Sequence, residues 1–416
     1  MSEGMAWSIV PRGLEAAVGG RTVWPMTLIS AFAVAAVFAG LPAFADGSAE
    51  SVVLEPLEAV DAEFDSVKVG MPDGDGWFIR GQKIESTEGV LVEPATAAEW
   101  WDGTVLRLPP QSAAMHAIDL PFRQGNRLMV SLNARVADGE AGDGRVLAQL
   151  VGIHQPMNRM ISGRVQPVDG TWKRFFFPLE VSAGWPVEAE PRLQILNGGE
   201  ASLLIDKVAV ARIVTDDPAF VSLFNGTDLT GWTGNTKGYG VEDGAIRTYP
   251  DRAGGNLYTE QEYDDFVFRF AFRLPPGANN GIAVRAPLTG DAAYQGMEIQ
   301  VLENSHPKYA GLQPWQFHGS VYGIAPALRG YQAMPGEWNH EEIRVEGRKL
   351  RVVLNGKVIN EVDLDEAMRN GTLSGREHPG AARLSGHLGF CGHGDVVQFK
   401  DLRLRPLSGT SGTTGR

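Results

Sequence analysis

Two short runs of alternating residues, 281–286 (GIAVRA) and 296–304 (GMEIQVLEN), constrain the fold more than any other feature of this sequence. In both runs apolar residues recur at every second position, which is the period of a half-buried β-strand. Pro287, Gly290 and Asp291 lie between the runs and favour a turn. The sequence therefore predicts two neighbouring antiparallel strands whose polar residues share one face of a sheet.

The polar face of these two strands carries charged and amide side chains. Alternation places Arg285, Glu298 and Gln300 on this face, away from the apolar core. Glu303 follows after an odd step, so we expect it at the end of the strand, turned back towards the rim. An arginine among carboxylates is an arrangement from which acid–base sites are built, although a solvated face of ion pairs has the same sequence pattern.

The composition favours an all-β architecture over the whole chain. The 416 residues include 51 glycines and 25 prolines, which interrupt helices and form tight turns. The adjacent residues Asn355 and Gly356 predict a two-residue hairpin turn. The formal net charge of −13 argues against nucleic acid as a partner, because phosphate binding requires clustered lysine and arginine. The single cysteine, Cys391, excludes an intrachain disulfide.

The first 45 residues have the pattern of an export signal. No charged residue occurs from position 22 to position 45, and the small–x–small triplet Ala43, Phe44, Ala45 precedes Asp46. We therefore expect cleavage after Ala45 and a periplasmic or secreted protein. The alternative is an uncleaved membrane anchor, because the uncharged stretch is long enough to span a bilayer. Only if the segment is not cleaved do we expect membrane contact, and then through this segment alone.

Changes in composition divide the rest of the chain into two predicted β-sandwich domains. Residues 46–61 are small, acidic and proline-containing, as expected of a tether. Residues 62–214 predict the first sandwich, because short apolar runs recur there between turn signals. The polar linker 215–218 (TDDP) precedes the second sandwich, residues 219–407. Residues 408–416 are rich in serine, glycine and threonine and predict a disordered tail.

The first sandwich loosely resembles jelly-roll carbohydrate-binding modules in its late strands, around residues 170–175 and 193–210. The resemblance implies that tryptophans are candidate platforms for sugar rings, since an aromatic face packs well on the apolar side of a pyranose. Packing in a hydrophobic core is the alternative for each of them. The candidates are Trp77, Trp100, Trp101 and Trp185.

Seven short segments carry a stronger resemblance in the second sandwich. They are LFNGTDLTGW (223–232), NGIAVR (280–285), GMEIQVLE (296–303), GEWN (336–339), LNG (354–356), GHLGFCGHG (386–394) and VQFKDL (397–402). In this order, residues 219–407 resemble the 3-keto-disaccharide hydrolase family, which has a concanavalin-like lectin/glucanase β-sandwich fold. Glu303 stands where the family usually has aspartate, and Asn280 where it usually has serine.

This resemblance implies a substrate already oxidised to a ketone at sugar C3. The ketone acidifies the C2 hydrogen, so a base can remove it and expel the C1 substituent, after which water adds. For this chemistry we expect Glu298 to act as the base, with His318 as the alternative, and Arg285 to hold the enolate oxygen; the role of Glu303 stays open because its side chain is longer than aspartate. The candidate substrate-binding residues are Gln300, Tyr322, Trp315, Tyr294 and His393.

Other functions fit the same sequence. A non-catalytic sugar-binding protein could use either sandwich. A two-carboxylate glycoside hydrolase of this fold would carry a Glu-x-Asp-x-x-Glu strand, but residues 298–303 (EIQVLE) lack the aspartate and the spacing. A divalent metal held by Glu298, Glu303 and His318 is a further option, although no spacing here is diagnostic. A carbohydrate is the expected partner in every case, and we expect the first sandwich to be dispensable for the chemistry.

Overall fold

The computed structural model describes residues 53–57, 67–69, 77–81, 92–94, 104–118, 122–153, 159–186, 189–214, 217–249, 251 and 255–407. The predicted export signal and the predicted tail lie outside the described residues. Among the residues described, no helix is long and apolar enough to cross a membrane. The helices described are short: Ala292–Gln295 (α1), Leu364–Ala367 (α2), and the 3₁₀ turns Thr236–Gly238, Pro307–Tyr309, Pro314–Gln316 and Pro379–Ala382.

The first sandwich is built from two sheets. Its strands are Val53–Leu57 (β1), Val67–Val69 (β2), Trp77–Gly81 (β3), Val92–Pro94 (β4), Thr104–Leu108 (β5), Ser112–Ala117 (β6), Arg127–Val136 (β7), Gly144–Ile153 (β8), Arg159–Ser162 (β9), Gln166–Val168 (β10), Lys173–Glu180 (β11), Glu190–Asn197 (β12) and Leu203–Val214 (β13). Sheet A has the order β11-β7-β13-β5-β4, with β1 also paired to β13, and sheet B has the order β10-β8-β12-β6-β3-β2, with β9 paired to β8. Residues 53–57, which the sequence placed in a tether, therefore form a strand of the sandwich.

The core of the first sandwich comes from alternate residues of both sheets. Leu128, Val130 and Leu132 of β7 pack with residues of β8 and β12 in one cluster. Trp77 and Trp185 belong to the same cluster and are at most 7% exposed, so they are core residues and not platforms for sugar. Trp100 and Trp101 lie outside the described residues.

The second sandwich also consists of two sheets. Its strands are Val221–Ser222 (β14), Trp232–Gly234 (β15), Tyr239–Glu242 (β16), Ala245–Thr248 (β17), Leu257–Tyr263 (β18), Phe266–Arg273 (β19), Asn279–Ala286 (β20), Met297–Leu302 (β21), Trp338–Glu346 (β22), Lys349–Leu354 (β23), Lys357–Asp363 (β24), Gly386–Phe390 (β25) and Gln398–Pro406 (β26). Sheet C has the order β16-β17-β26-β19-β22-β23-β24, with β14 paired to β26, and sheet D has the order β15-β18-β25-β20-β21. The all-β, two-sandwich architecture expected from the sequence is confirmed.

The core of the second sandwich lies between sheets C and D. Phe268 and Phe272 of β19 contribute to it from sheet C, and Ile282 and Ile299 contribute from sheet D. The side chains at 297, 299 and 301 all point into this cluster, as their alternation predicts. Glu298 and Gln300, at the intervening positions, therefore face the other side of sheet D.

The two sandwiches contact each other through a buried arginine. Arg174 of β11 donates from Nη1 to the carbonyl oxygen of Gly330 at 3.3 Å, and Asn133 of β7 donates to the same oxygen at 2.9 Å. The Arg174 guanidinium also lies 5.2 Å from the centre of the Tyr331 ring. Burial lowers the pKa of Arg174 to about 10, so the guanidinium remains charged at neutral pH.

The backbones of the two sandwiches also approach closely. A Cβ atom on Gly356 would lie 2.3 Å from the Cβ of Ala211, so the turn between β23 and β24 needs glycine at this point. Ala209 of β13 is a member of the core cluster of the second sandwich. Removing the first sandwich would therefore expose apolar surface of the second, and we expect a loss of stability even if the chemistry needs only the second.

Candidate active site

The outer face of sheet D, which points away from the core, forms the floor of the candidate site. One row of paired residues crosses this face from Tyr258 through Gly389 and Ala283 to Glu298. The pairing of Ala283 with Glu298 confirms the antiparallel strands that the sequence predicts. The two middle residues have little or no side chain, so the phenol of Tyr258 and the carboxylate of Glu298 are the large side chains at the two ends of the row. Ala292 of α1 packs on this floor.

Glu298 and His393 form a pair at the edge of the floor. Glu298 Oε1 lies 3.3 Å from His393 Nε2, and the side chains are 4% and 41% exposed, respectively. The hydrogen bond with Glu298 raises the pKa of His393 above its ordinary 6.5, and the charges of Glu298, Asp395 and Asp291 act in the same direction against the effect of burial. The result is a buried carboxylate that holds a half-exposed imidazole and favours its protonated form.

Two residues beneath this pair set the space around the carboxylate. A Cβ atom on Gly281 would lie 1.8 Å from Glu298 Oε1, so only glycine leaves room for this side chain. Cys391 donates its backbone N–H to the carbonyl oxygen of Gly281 at 2.8 Å. Burial raises the pKa of the Cys391 thiol well above its usual value, and the charge of Glu298 and a hydrogen bond with it add to this effect. The thiol is therefore a neutral neighbour of the carboxylate.

Residues 318–322, which we call the flanking segment, extend sheet D beyond β21. The N–H of Gly319 donates to the carbonyl of Gln300 at 2.8 Å, and the N–H of Tyr322 donates to the carbonyl of Glu298 at 2.9 Å. An isolated bridge joins Ile299 to Val321, and both of these side chains enter the core. The position of the flanking segment therefore affects the backbone that carries Glu298.

Three predicted substrate-binding aromatic residues lie together beside this strand. The ring centres of Trp315 and Tyr322 are 5.0 Å apart and meet edge to face, and those of Tyr322 and Tyr294 are 6.2 Å apart in the same arrangement. Arg376 lies 3.5 Å above the centre of the Tyr294 ring. Trp315 and Tyr322 are partly exposed, and the N–H of Tyr322 bonds to the carbonyl of Glu298, so this aromatic wall lies beside β21. Their role in substrate binding remains a prediction.

Gln300 lies two residues after Glu298 and on the same face of β21. Its side chain is buried, and its Oε1 atom has no hydrogen-bond partner among the described residues. Buried polar atoms are usually hydrogen-bonded. The unpaired amide oxygen therefore makes Gln300 a candidate contact for a bound molecule, as the sequence suggested.

Arg285 does not share the face of Glu298, so the predicted placement of its side chain on that face is wrong. Its backbone has a φ of 50°, and the pairing of β20 with β25 shifts register between Ala283 and Ala286. This bulge turns the Arg285 side chain away from the site. The guanidinium is 1% exposed and lies 2.8 Å from Asp265 Oδ1. It also donates to the carbonyl oxygens of Asp264, Gly347 and Arg383.

His318 lies in the interior of the sandwich and not over the sheet face, which contradicts the prediction that it is an alternative base. Its side chain is 1% exposed, and its Nε2 lies 3.1 Å from Oε2 of Glu341, whose side chain is 0% exposed. The ring of Phe272 is 5.1 Å away, centre to centre. A group this deep in the core does not reach a substrate on the outer face of sheet D.

Glu303 is held at the end of β21 by backbone groups. Its Oε2 accepts from the N–H of Gly277 at 2.8 Å, and its Oε1 accepts from the N–H and the hydroxyl of Ser305. The strand-end position agrees with the prediction, but the carboxylate fixes two loops and does not adjoin the Glu298–His393 pair. Glu298, Glu303 and His318 thus have separate partners, and no group of three metal-ligating side chains was found among the described residues.

Two residues of interest were missed by sequence reasoning. Tyr258 follows the core residue Leu257 and so faces the floor, a position that alternation in β18 would have predicted. Glu341 is buried in β22 in phase with the core residues Ile343 and Val345. The sequence does show that Glu341 takes a position in the alternation where an apolar residue is expected. A carboxylate at such a position points into the core and must find a polar partner there.

The fold and the site together define a two-sandwich, all-β protein with a carboxylate–imidazole pair and aromatic rings on one sheet face. Residues 219–405 match the family model of the 3-keto-alpha-glucoside-1,2-lyase-like domain. The resemblance read from the sequence is thereby confirmed for this part of the chain. The match covers less than half of the chain.

Several solved structures are similar to parts of the chain. Two structures from Parabacteroides distasonis ATCC 8503, each described as a candidate glycosyl hydrolase, share 27% and 25% identity with it. The first similarity covers 45% of this chain and 99% of the other with a TM-score of 0.42, and the second covers 47% and 99% with a TM-score of 0.41. The CBM22-1 xylan-binding domain of Paenibacillus barcinonensis Xyn10C shares 13% identity over 41% of this chain and 100% of its own, with a TM-score of 0.29. No curated protein matches the chain.

Proposed function

We propose that this protein cleaves 3-keto-glycosides by removal of the C2 proton, elimination of the C1 substituent and addition of water. The observation that carries the proposal is the Glu298–His393 pair on the outer face of sheet D, within the residues that match the family model. A half-exposed imidazole held by a buried carboxylate is suited to proton transfer to and from a bound substrate.

The roles of the residues follow from their exposure. His393 is the accessible member of the pair, so it removes the C2 proton, and Glu298 orients the ring and stabilises the imidazolium that forms. A general base works best when its pKa lies near the working pH, and the pairing with Glu298 raises the pKa of His393 above its ordinary 6.5. The imidazolium then returns the proton to the leaving oxygen as the C1–O bond breaks. Water adds across the resulting C1–C2 double bond.

The remaining polar and aromatic groups on this face would bind the sugar. Arg285 points away from this face, so another group must bind the enolate oxygen that develops at C3. The amide N–H of Gln300, on the same face as Glu298, can donate a hydrogen bond to it. The aromatic wall of Trp315, Tyr322 and Tyr294 can stack on the apolar face of a ring. We also propose that the protein is exported, with a mature chain that begins at Asp46, which mass spectrometry of the secreted or periplasmic form would test.

The decisive experiment compares a glucoside with its 3-keto derivative in D₂O, with and without a chelator. We expect turnover of the keto derivative alone and deuterium at C2 of the product, because protonation after water addition takes a solvent proton. Equal cleavage of both compounds would contradict the proposal. Product without C2 deuterium would indicate direct displacement at C1. Loss of turnover with chelator would show that a metal is required, which the sequence left open.

A matched pair of variants tests the assignment to Glu298. Glu298→Gln keeps the shape of the side chain and removes its charge, so we expect a large loss of turnover with retained binding of the keto-glucoside. Glu260→Gln changes an exposed carboxylate on β18 in the same sheet and should behave as the unmodified protein. Binding without turnover in the unmodified protein would instead favour the sugar-binding alternative.

A further inference from the structure

The buried pair of His318 and Glu341 has no role in the proposed chemistry, although it occupies a position where apolar residues are expected. Glu341 lies on β22 in phase with the core residues Ile343 and Val345. His318 approaches it from the opposite side of the core, Nε2 to Oε2, at 3.1 Å. Neither side chain makes an aligned hydrogen bond to any other described group. Each of these polar groups thus has only the other as its partner.

Such a pair is not explained by stability alone. A protein in which apolar side chains of similar volume replace a buried ion pair is often at least as stable as the original. Removing only one partner is destabilising, because it leaves the other unpaired in the core. A buried polar pair instead specifies one arrangement of the elements that carry it, because alternative arrangements would separate the two groups. The elements joined here are sheet C, through β22, and the start of the flanking segment.

The backbone around His318 connects this pair to the candidate site. The N–H of His318 itself donates to Asn304 Oδ1 at 3.0 Å. The next residues of the flanking segment bond to the carbonyls of Gln300 and Glu298, and Tyr322 joins the aromatic wall. The side chain of His318 therefore anchors, from the core side, the segment that lies against the backbone of Glu298.

We infer that His318 and Glu341 are positioning residues, which hold the flanking segment so that Glu298 meets His393 and Tyr322 stands beside them. This inference rests on the proposed function for its effect on turnover, but the position of Glu298 relative to His393 can be measured without turnover. His318 would thus matter for the reaction, as the sequence suggested, by acting through Glu298 and not by touching the substrate.

The test is the double variant His318→Phe/Glu341→Leu, which replaces both partners by apolar groups and leaves no unpaired charge in the core. The matched control is Arg269→Met/Glu342→Leu, which removes a 2.7 Å ion pair between β19 and β22 on the outer face of sheet C. Thermal unfolding and circular dichroism establish that both proteins fold. NMR titration of labelled histidine, with the His393 signal assigned from a His393→Gln variant, gives the midpoint of His393 in each.

For the folded double variant we expect the His393 midpoint to move towards 6.5, since the approach of Glu298 raises it. We also expect kcat on a 3-keto-glucoside to fall on the order of tenfold to hundredfold, because small misplacements of catalytic groups have effects of this size. The control should keep the midpoint and kcat of the unmodified protein. If the double variant does not fold, Glu341→Gln, which keeps the shape of the side chain, is measured in the same two ways.

A folded variant with an unchanged His393 midpoint would overturn the inference. Failure of the proposed function is a separate result, because an unmodified protein that does not turn over 3-keto-glucosides still has a His393 midpoint to compare. In that case the proposed reaction is wrong, and the titration alone decides whether His318 and Glu341 position Glu298.

Discussion

Two of the carboxylate–histidine pairs in the second sandwich, Glu298–His393 and Glu341–His318, differ in their surroundings more than in their geometry. Glu298 and His393 are 3.3 Å apart on the outer face of sheet D, where the imidazole is 41% exposed. Glu341 and His318 are 3.1 Å apart between the sheets, where both side chains are at most 1% exposed. Solvent access, and not the distance between the charged groups, therefore separates a pair that can exchange protons with a substrate from one that can only hold the structure.

This difference also shows why sequence reasoning misplaced His318. His318 lies in an aromatic-rich segment (WQFHGSVY, 315–322), and His393 lies in a glycine-rich turn. The aromatic neighbours of His318 suggested a binding site, but aromatic residues also fill cores, and His318 packs against Phe272 in the interior. The glycines around His393 instead leave the imidazole open to solvent.

The largest expected effect comes from removing the exposed imidazole. His393→Ala should lower kcat on a 3-keto-glucoside by about 10²–10⁴, the usual range for loss of a general acid–base group. Steady-state kinetics would measure this loss, with His306→Ala as the control, since His306 lies outside the site and bonds only locally through its ring nitrogen to the N–H of Lys308. A His393→Ala variant with full activity would show that exposure does not identify the chemical pair.

Breaking the buried pair of His318 and Glu341 should lower the stability of the protein. Glu341→Leu leaves His318 without its partner in the core, so we expect a loss of about 3–5 kcal/mol in the free energy of unfolding. Glu346→Leu, at the exposed end of the same strand, should change it by no more than about 0.5 kcal/mol. Denaturant unfolding measures both. Equal effects would mean that the buried pair does not hold the two sheets in their arrangement.

A substitution at Arg285 tests whether a charged group that points away from the site affects stability and not turnover. Arg285→Lys keeps the charge but loses the planar fork that reaches Asp265 and the neighbouring carbonyls. We expect a loss of about 1–3 kcal/mol in stability, as for buried groups left without partners, and an unchanged kcat for the folded protein. A stable variant with strongly reduced kcat would instead restore Arg285 to the role at the enolate oxygen that the sequence suggested.

The smallest effect is a shift in titration. Because the folded-state pKa of His393 lies above 6.5, its pairing with Glu298 stabilises the fold fully below pH 6.5, and this stabilisation is lost as pH rises through the folded value. Glu298→Gln should lower the midpoint of His393 towards 6.5 and weaken this pH dependence. NMR titration and unfolding as a function of pH provide the two measurements. A midpoint that stays in place would assign the raised pKa to Asp395 and Asp291.

Regular patterns in the sequence predicted the parts of the fold that depend on local chemistry. The alternation at 297–301 gave the correct face for Glu298 and Gln300. Asn355 and Gly356 have φ values of 50° and 83° and join β23 to β24, as their turn chemistry predicts. Local patterns succeed here because each residue position is decided by its immediate neighbours along the chain or across one strand pair.

The errors arose where distant contacts decide the outcome. A prediction from alternation assumes a regular strand. At Arg285 the backbone is left-handed and forms a bulge, and no glycine or other turn residue at this position indicates the bulge in the sequence. The position of His318 depends on Glu341 and Phe272, each more than 20 residues away in the sequence. The Glu298–His393 contact likewise joins residues 95 positions apart. Such pairs require the tertiary fold, which periodicity does not contain.

Alkylation of Cys391, the single cysteine of the chain, can be used to follow opening of the floor of sheet D. Cys391 is 5% exposed, and alkylating reagents react with the thiolate, which burial disfavours at this position. The rate of alkylation at Cys391 should therefore follow the frequency with which the floor of sheet D opens to solvent. Because no second thiol is present, the mass of the labelled chain reports this opening directly, and a sugar bound over the floor should slow it.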